Sequence, residues 1–579
     1  MKHLSLLVAL GLALSACSKP TVPPAAVATP EELKAHSAEF KKEILTPAPG
    51  VHVAIGYGIA NSILIEGDDG ALLIDTTESL EAAKEVAAAF ALKTTKPVKA
   101  IVYTHSHPDH VQGAAAFMPA GVAVPIYAHE DVAANMDKIA SELQPVITRR
   151  SLRMYGHGLS PDELLNVGIG PRVDVHEGTT LGIARPTKTF RDTLDDTVAG
   201  IRFTLVHAPG ETDDQIFVWL PDRKILLPGD NVYKAFPNLY TIRGTGYRDP
   251  KRWAASIDKM RHLAPELLLP SHTRPIAGKD EIASVLTDYR DAIRYVYDQT
   301  LRAMNRGLLP DEVAATIKLP AHLAASPYLQ EFYGRPGWSA KSIFTGNLGW
   351  YDGDPATLTP LPPLDRSQRM VQLAGGEAGF NKAIEAATKN NEHAWVLELT
   401  SHALRVNATN AAAKSARLAA LKALGEAESN PNARHYYLVS YHELNGDYAV
   451  PSRAVSPTSE MLAAMPLSAF FDGLAVNLDA EAAGEKVMTV RFEFTDVNEQ
   501  WHYLLRRGAS EVLPPKDAAF APKPDLVVRV KAQVFKEMMA QLRKPAVTLA
   551  TEFEAVQGSK LDLIGFMRLF VPEAADGTS

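Results

Sequence analysis

Short apolar runs broken by turn residues fill the first half of the chain. Val51, Val53 and Ile55 alternate along one strand, and Ser62, Leu64 and Glu66 alternate against Ile63 and Ile65 along the next. Asp68-Asp69-Gly70 is a hairpin turn signal, and Ala71 to Ile74 reads as a buried strand ending at Asp75. Ser79 to Phe90 carries a helical period, and the apolar run through Val98, Ala100, Ile101 and Val102 predicts another buried strand. A second group of strand patterns follows at Ile201–Val206, Ile216–Leu220, Ile225–Leu227 and Leu267–Leu269.

After Gly278 the period changes. Ile282, Val285, Leu286, Tyr289, Ile293 and Val296 follow helical spacing until Arg306-Gly307, and Pro310-Asp311-Glu312 opens a further helix. Beyond Pro360-Leu361-Pro362-Pro363, paired helices are expected from Glu377 to Glu428. Rows of small residues (Ala383, Ala386, Ala387, then Ala411, Ala412, Ala413, Ala416) would let them pack closely. Past Asn430-Pro431-Asn432 and the stretch 447–459 the pattern is α+β. It comprises a helix over Leu462–Leu474, three strands and a helix over Val534–Leu542; the strands carry Met488/Val490/Phe492/Phe494, Trp501/Tyr503/Leu505 and Leu526/Val528/Val530. These shifts divide the chain into 1–17, a tether at 18–30, and domains at 31–280, 281–435 and 455–575.

The chemistry gathers where the Val98–Val102 strand ends. Tyr103-Thr104-His105-Ser106-His107-Pro108-Asp109-His110 packs three imidazoles and a carboxylate into six residues. A strand ending in this pattern projects His105 and His107 to one side of the loop. Asp109 and His110 follow a turn later, at a helix start. The layout suits two metal ions, His105 and His107 on one, Asp109 and His110 on the other. Neutral imidazole and carboxylate are the ligands zinc takes in hydrolytic sites. Further metal-type residues each close a short apolar run: His207 and Glu211, then Asp230, then His272.

Composition narrows the setting. The net charge of −8 provides no basic field for nucleic acid. The single cysteine, Cys17, has no internal disulfide partner. Met1-Lys2-His3 followed by an apolar run from Leu4 to Leu14 reads as a signal peptide too short to span a membrane, and Leu14-Ser15-Ala16-Cys17 reads as a bacterial lipobox. The expectation is a lipoprotein anchored through Cys17 in the bacterial periplasm, Ser18 favouring the outer membrane; an ordinary cleaved secretory signal is the alternative. Ser18 to Pro30 reads as a Pro/Ala-rich tether.

With these residues in place, the chain resembles the metallo-β-lactamase superfamily. Glu211 after Pro209-Gly210, and Asn238-Leu239-Tyr240-Thr241-Ile242-Arg243-Gly244 further on, are similar to its alkylsulfatase branch. So is Leu348-Gly349-Trp350-Tyr351-Asp352-Gly353, and the likeness extends over nearly the whole mature chain. The resemblance implies an αββα metallo-β-lactamase sandwich, an all-α helical dimerisation region and a C-terminal α+β sterol-carrier-like domain. It implies two Zn2+ per chain, with His105, His107 and Glu211 on one, Asp109, His110 and His272 on the other, and Asp230 bridging. The branch has one more residue between Pro-Gly and its Glu, which leaves Asp213 as an alternative to Glu211. His207 is expected to be structural. Asp75 is expected either to buffer a ligand imidazole or to cap its strand.

The implied activity is hydrolysis of alkyl sulfate esters by a metal-activated water, Arg243 and Asn238 clamping the sulfate oxygens. A surface ion pair is the alternative role for Arg243. His272-Thr273-Arg274-Pro275 puts a small residue and a cation where the branch carries an aromatic wall, and Gly334 to Ser339 lacks the Ser-His-Asn expected there. The expected partners are an amphiphilic sulfate ester and a second copy of the chain, although plain intramolecular helix packing also fits the middle region. The C-terminal domain is read either as an apolar tunnel for an alkyl tail or as a filled core. The alternatives to a sulfatase are another binuclear hydrolase acting on a lactam, lactone or phosphoester, or an envelope lipid-binding protein.

Overall fold

The computed structural model describes residues 28–570 apart from 120, 177, 452 and 456. The expected signal peptide, Cys17 and most of the expected tether lie outside the described residues. The tether's last residues are already folded. Thr29 caps the helix Pro30–His36 through a capping box with Glu32, and Leu33 is buried.

Two sheets form the catalytic half. The first runs in chain order: β1 (Glu43–Ala48), β2 (Val51–Ile55), β3 (Ser62–Glu66), β4 (Ala71–Ile74), β5 (Val98–Val102), β6 (Ile126–His129) and β7 (Lys188–Phe190). The second comprises β8 (Thr193–Val198), β9 (Ile201–His207), β10 (Ile216–Leu220), β11 (Ile225–Leu227), β12 (Leu267–Leu268) and β13 (Ile276–Ala277), paired in reverse order from β13 to β8. Val51, Val53, Ile63, Leu72, Ile74 and Val102 face Phe203, Leu205, Val218 and Leu227 between the sheets. The alternate residues of the first sheet, including Ala54, Leu64 and Leu73, are also buried, because the helix Leu80–Ala91 covers the outer face. The helices Pro250–His262 and Lys279–Met304 cover the second sheet. The layers are therefore αββα. All six apolar positions read along Lys279–Met304 are buried, each aliphatic one worth about 1.5–3 kcal/mol relative to exposure.

Over the expected helical span the middle region holds three successive helices, Gly376–Lys389, His393–Val406 and Ala411–Ala427. Only part of the alanine rows packs inward: Ala387 and Ala413 are buried, while Ala386, Ala411 and Ala412 face solvent.

The C-terminal domain has a five-stranded sheet in the order β16-β15-β14-β17-β18, formed by β14 (Val487–Phe494), β15 (Glu499–Arg506), β16 (Ala509–Leu513), β17 (Leu526–Val530) and β18 (Glu554–Gln557). The single helix expected at Leu462–Leu474 is two, Ser459–Ala464 and Leu467–Val476. Pro466 forces the break, since proline cannot donate into a helix interior and restricts the residue before it. Rings fill the space between sheet and helices. Phe471 stacks on Trp501 at 4.9 Å between centroids and on Phe535 at 5.5 Å, and Phe566 meets Phe570 at 4.9 Å. Of the two readings of this domain, the packing favours the filled core.

Candidate metal centre

The site lies where strands of both sheets end. Beyond β5, His105 and His107 sit in the loop, and His107 is the N-cap of the short helix Pro108–Val111, which carries Asp109 and His110. Asp230 stands in a tight turn after β11, and His272 follows β12. That turn needs a glycine at 229: its φ is +61°, and a Cβ there would lie 2.0 Å from the Gln215 Nε2. Asn61 holds the His272 loop by donating from Nδ2 to the carbonyls of Pro270 (3.1 Å) and Thr273 (2.8 Å).

Two groups of donor atoms converge, His105/His107/Asp230 and Asp109/His110/His272. Asp230 Oδ2 lies 3.6 Å from His105 Nε2, 3.4 Å from His110 Nε2 and 3.2 Å from His272 Nε2, so one oxygen faces both groups. Asp109 Oδ2 is 3.4 Å from His110 Nε2 and 3.5 Å from His272 Nε2. Ligands about 2.0–2.2 Å from a tetrahedral zinc stand roughly 3.3–3.6 Å apart, so these spacings match the edges of a coordination shell. Among the described residues, His110 Nε2 and Asp230 Oδ1 are buried without a hydrogen-bond partner. Buried polar atoms are normally satisfied, and a cation would satisfy both.

The electrostatics agree. Burial takes His105 down to about 4, helped by His110, and pushes His107 well below its usual range, so both rings are neutral at pH 7, the ligating form. Burial works against charge on His272 too, but Asp230 and Asp109 raise it to about 9. The carboxylates thus draw positive charge into the pocket, and a divalent ion would supply it. His110 and His272 turn Nε2 inward because Nδ1 is engaged elsewhere, on Asp75 Oδ2 at 2.8 Å and on the Ile59 carbonyl at 2.8 Å. Asp75, itself in the left-handed region with φ +58°, also accepts from the Thr104 amide, the Thr104 hydroxyl and the Ser271 hydroxyl. It both orients His110 and ties the ends of β4, β5 and β12.

Glu211 is buried beside this pocket. Its carboxylate accepts from Arg248 Nη1 at 2.9 Å and from the Tyr233 hydroxyl at 3.2 Å, and it belongs to neither convergent group. The alternative, Asp213, is exposed and paired with Arg252 at 2.7 Å. His207 stacks on His129 with centroids 4.1 Å apart and engages the Asp213 carbonyl at 2.7 Å, which is the structural role expected of it.

Arg243 reaches the centre, with Nη2 3.3 Å from His107 Nε2. Asn238 is buried, and both side-chain polar atoms lack a partner among the described residues. Gly334 explains how tightly this loop is backed: a Cβ there would lie 2.0 Å from the Pro237 carbonyl oxygen. Arg274 is not in the site. It pairs with Glu43 at 2.7 Å, so the cation expected in place of an aromatic wall turns towards β1.

Sequence reasoning missed Arg248 and the hydroxyl pair Tyr155/Tyr333, 3.1 Å apart. Arg248 is buried, bonds Glu211 and leaves Nε and Nη2 unpartnered. Its one sequence signal is its place ten residues after Asn238 in the same loop.

The chain matches the metallo-beta-lactamase superfamily over residues 55–272, alkyl sulfatase dimerisation over 309–447 and alkyl sulfatase C-terminal over 456–574. It is 38% identical to a linear primary-alkylsulfatase of Pseudomonas sp. over 79% of this chain and 89% of that protein. It is 29% identical to an (R)-specific secondary-alkylsulfatase of Pseudomonas sp. over 85% and 75%. The solved structure of a stereoselective inverting sec-alkylsulfatase from Pseudomonas sp. is similar with a TM-score of 0.84 at 26% identity, covering 92% of this chain and 85% of that one. Sandwich and both accessory regions thus each match a family model, the likeness spans 75–89% of these relatives, and the chain belongs to the alkylsulfatase family of the metallo-β-lactamase superfamily.

Proposed function

We propose that this protein hydrolyses alkyl sulfate esters to alcohol and sulfate with two zinc ions per chain. The observation that carries this reading is Asp230 Oδ2 between two histidine groups, with the Arg243 guanidinium 3.3 Å from one of the histidines. His105, His107 and Glu211 would hold one ion, Asp109, His110 and His272 the other, and Asp230 both. Bound there, zinc supplies a water acidified to a pKa of about 7. Arg243, Arg248 and Asn238 offer unspent donors to the sulfate oxygens, and a planar guanidinium fits that oxyanion in a bidentate manner. Burial of Asn238 and Arg248 would strengthen each of those contacts by keeping water away. The primary and secondary alkylsulfatase relatives support this substrate class.

The 309–447 region would join two copies into a homodimer, as the description of its family suggests. Leu14-Ser15-Ala16-Cys17 supports a lipid anchor at a bacterial envelope membrane; labelling with a fatty-acid probe in wild type but not in Cys17→Ala tests it.

Purified protein should contain about two zinc ions per chain and release sulfate, measured by ion chromatography, from dodecyl or secondary alkyl sulfates. Turnover of lactams, lactones or phosphoesters with no sulfate release would replace this reading with that of another binuclear hydrolase.

A further inference from the structure

The helix Gln144–Met154 belongs to neither sheet, and one of its faces is given to the loop that carries Arg243. Ile147 Cδ1 abuts Gly244, where a Cβ would come within 3.2 Å of it. Arg150 donates from both Nε (3.1 Å) and Nη2 (2.6 Å) to the carbonyl of Ile242. The Thr241 hydroxyl donates to the Met154 sulfur at 3.2 Å. Positions 147, 150 and 154 are spaced i, i+3, i+7, so the three contacts form one stripe. Among the described residues Arg150 makes no ion pair. Two of its donors, Nε and Nη2, go to one neutral carbonyl, that of the residue immediately before Arg243.

The same helix is gripped from the other side. Arg153 forms a two-pronged pair with Glu443 at 2.8 and 2.9 Å, and the His435 ring sits 3.1 Å from the Met154 carbonyl and 2.7 Å from that of Leu164. Glu443 and His435 lie on the helix Pro431–Asn445, inside the region matched to alkyl sulfatase dimerisation.

We propose that Arg150 is a positioning residue for Arg243. By holding the Ile242 carbonyl it fixes the direction from which the Arg243 guanidinium enters the anion seat, and Pro431–Asn445 steadies the helix that does so. The proposal rests on Arg243 acting as an anion ligand. Its basis is contiguous packing, so the decisive test is a measured coupling between the two arginines.

The experiment is a double-mutant cycle on the zinc-loaded enzyme: wild type, Arg150→Ala, Arg243→Ala and the double variant. Each is assayed for kcat and KM with dodecyl sulfate, inhibition by inorganic sulfate, bound zinc and Tm. Arg150→Ala should raise both KM and the sulfate inhibition constant about tenfold, leave kcat and zinc content nearly unchanged, and lose its effect once Arg243 is absent. Arg150→Gln, which keeps one donor, should fall between, and it decides the matter if Arg150→Ala melts early or loses zinc. Equal effects in both Arg243 backgrounds, or an unchanged sulfate inhibition constant in Arg150→Gln and Arg150→Ala, overturn the proposal while leaving Arg243 in its role. Equal sulfate inhibition of wild type and Arg243→Ala overturns the anion seat itself, and the proposal with it.

Discussion

Asp75 Oδ2 accepts the Nδ1–H of His110 at 2.8 Å, and this one contact fixes which nitrogen of the ring faces the metal pocket. A carboxylate behind an imidazole also makes it a better ligand, and loss of such a group typically costs about 10–100-fold in metal affinity or activity. Asp75→Asn should therefore weaken binding of one of the two ions by that factor while leaving the other tight. Titration of the apo-protein with zinc against a competing chelator would read two unequal sites in place of two similar ones.

Arg243 and Arg248 should fail differently. Arg243 is half-buried and pairs with no acid among the described residues, so Arg243→Ala should lower kcat/KM by about a hundredfold with little change in Tm. Arg248 is buried against Glu211, whose carboxyl burial already raises and Arg248 lowers. Arg248→Met would take the cationic partner from a buried carboxylate and leave it the Tyr233 hydroxyl, a loss of at most about 3–5 kcal/mol, and should depress Tm along with activity. Thermal denaturation beside steady-state kinetics separates the two; matching Tm losses in both variants would refute the distinction.

Gly229→Ala tests the turn that presents Asp230. The substitution places a Cβ 2.0 Å from Gln215 Nε2 in a backbone with φ +61°. The expected outcome is about 1–3 kcal/mol of strain and fewer than two zinc ions per chain by elemental analysis. Full zinc content with wild-type stability would show that the turn yields without cost.

The pH prediction concerns His435, which burial lowers to about 4. Between about 6.5 and 4 the unfolded chain takes up a proton that the folded chain refuses, so stability falls as pH drops through that window and is unaffected above it. The full loss is about 3 kcal/mol by pH 4. His435→Gln should flatten the dependence of Tm between pH 6.5 and 4.5, most visibly for the packing of Pro431–Asn445 on the catalytic domain. Parallel curves for the variant and wild type would show that this ring does not titrate in the window.

How much of this was legible depended on how local each signal was. His105 to His110 announce themselves because four donors fall in six residues, and the alternating runs around them fix the two sheets. Asp230 and His272 carry a weaker signal; each is a single polar residue closing a short apolar run, and only the family pattern gave them a ligand role before the fold brought them together. Arg248 was missed because a lone arginine in a polar loop looks like any solvated cation until its burial is known. The break at Pro466 was readable and overlooked. β16 and β18 escaped notice because both lie at the edges of their sheet, where mixed exposure erases the alternation.

The fold takes hold early, with Thr29 capping the first helix and Leu33 sealed beneath it. Only twelve positions separate that cap from Cys17, a leash of at most roughly 40 Å when fully stretched. Were Cys17 acylated as proposed, the hydrolase could not roam: it would patrol a thin shell above the bilayer, meeting those amphiphilic esters that partition to the membrane surface.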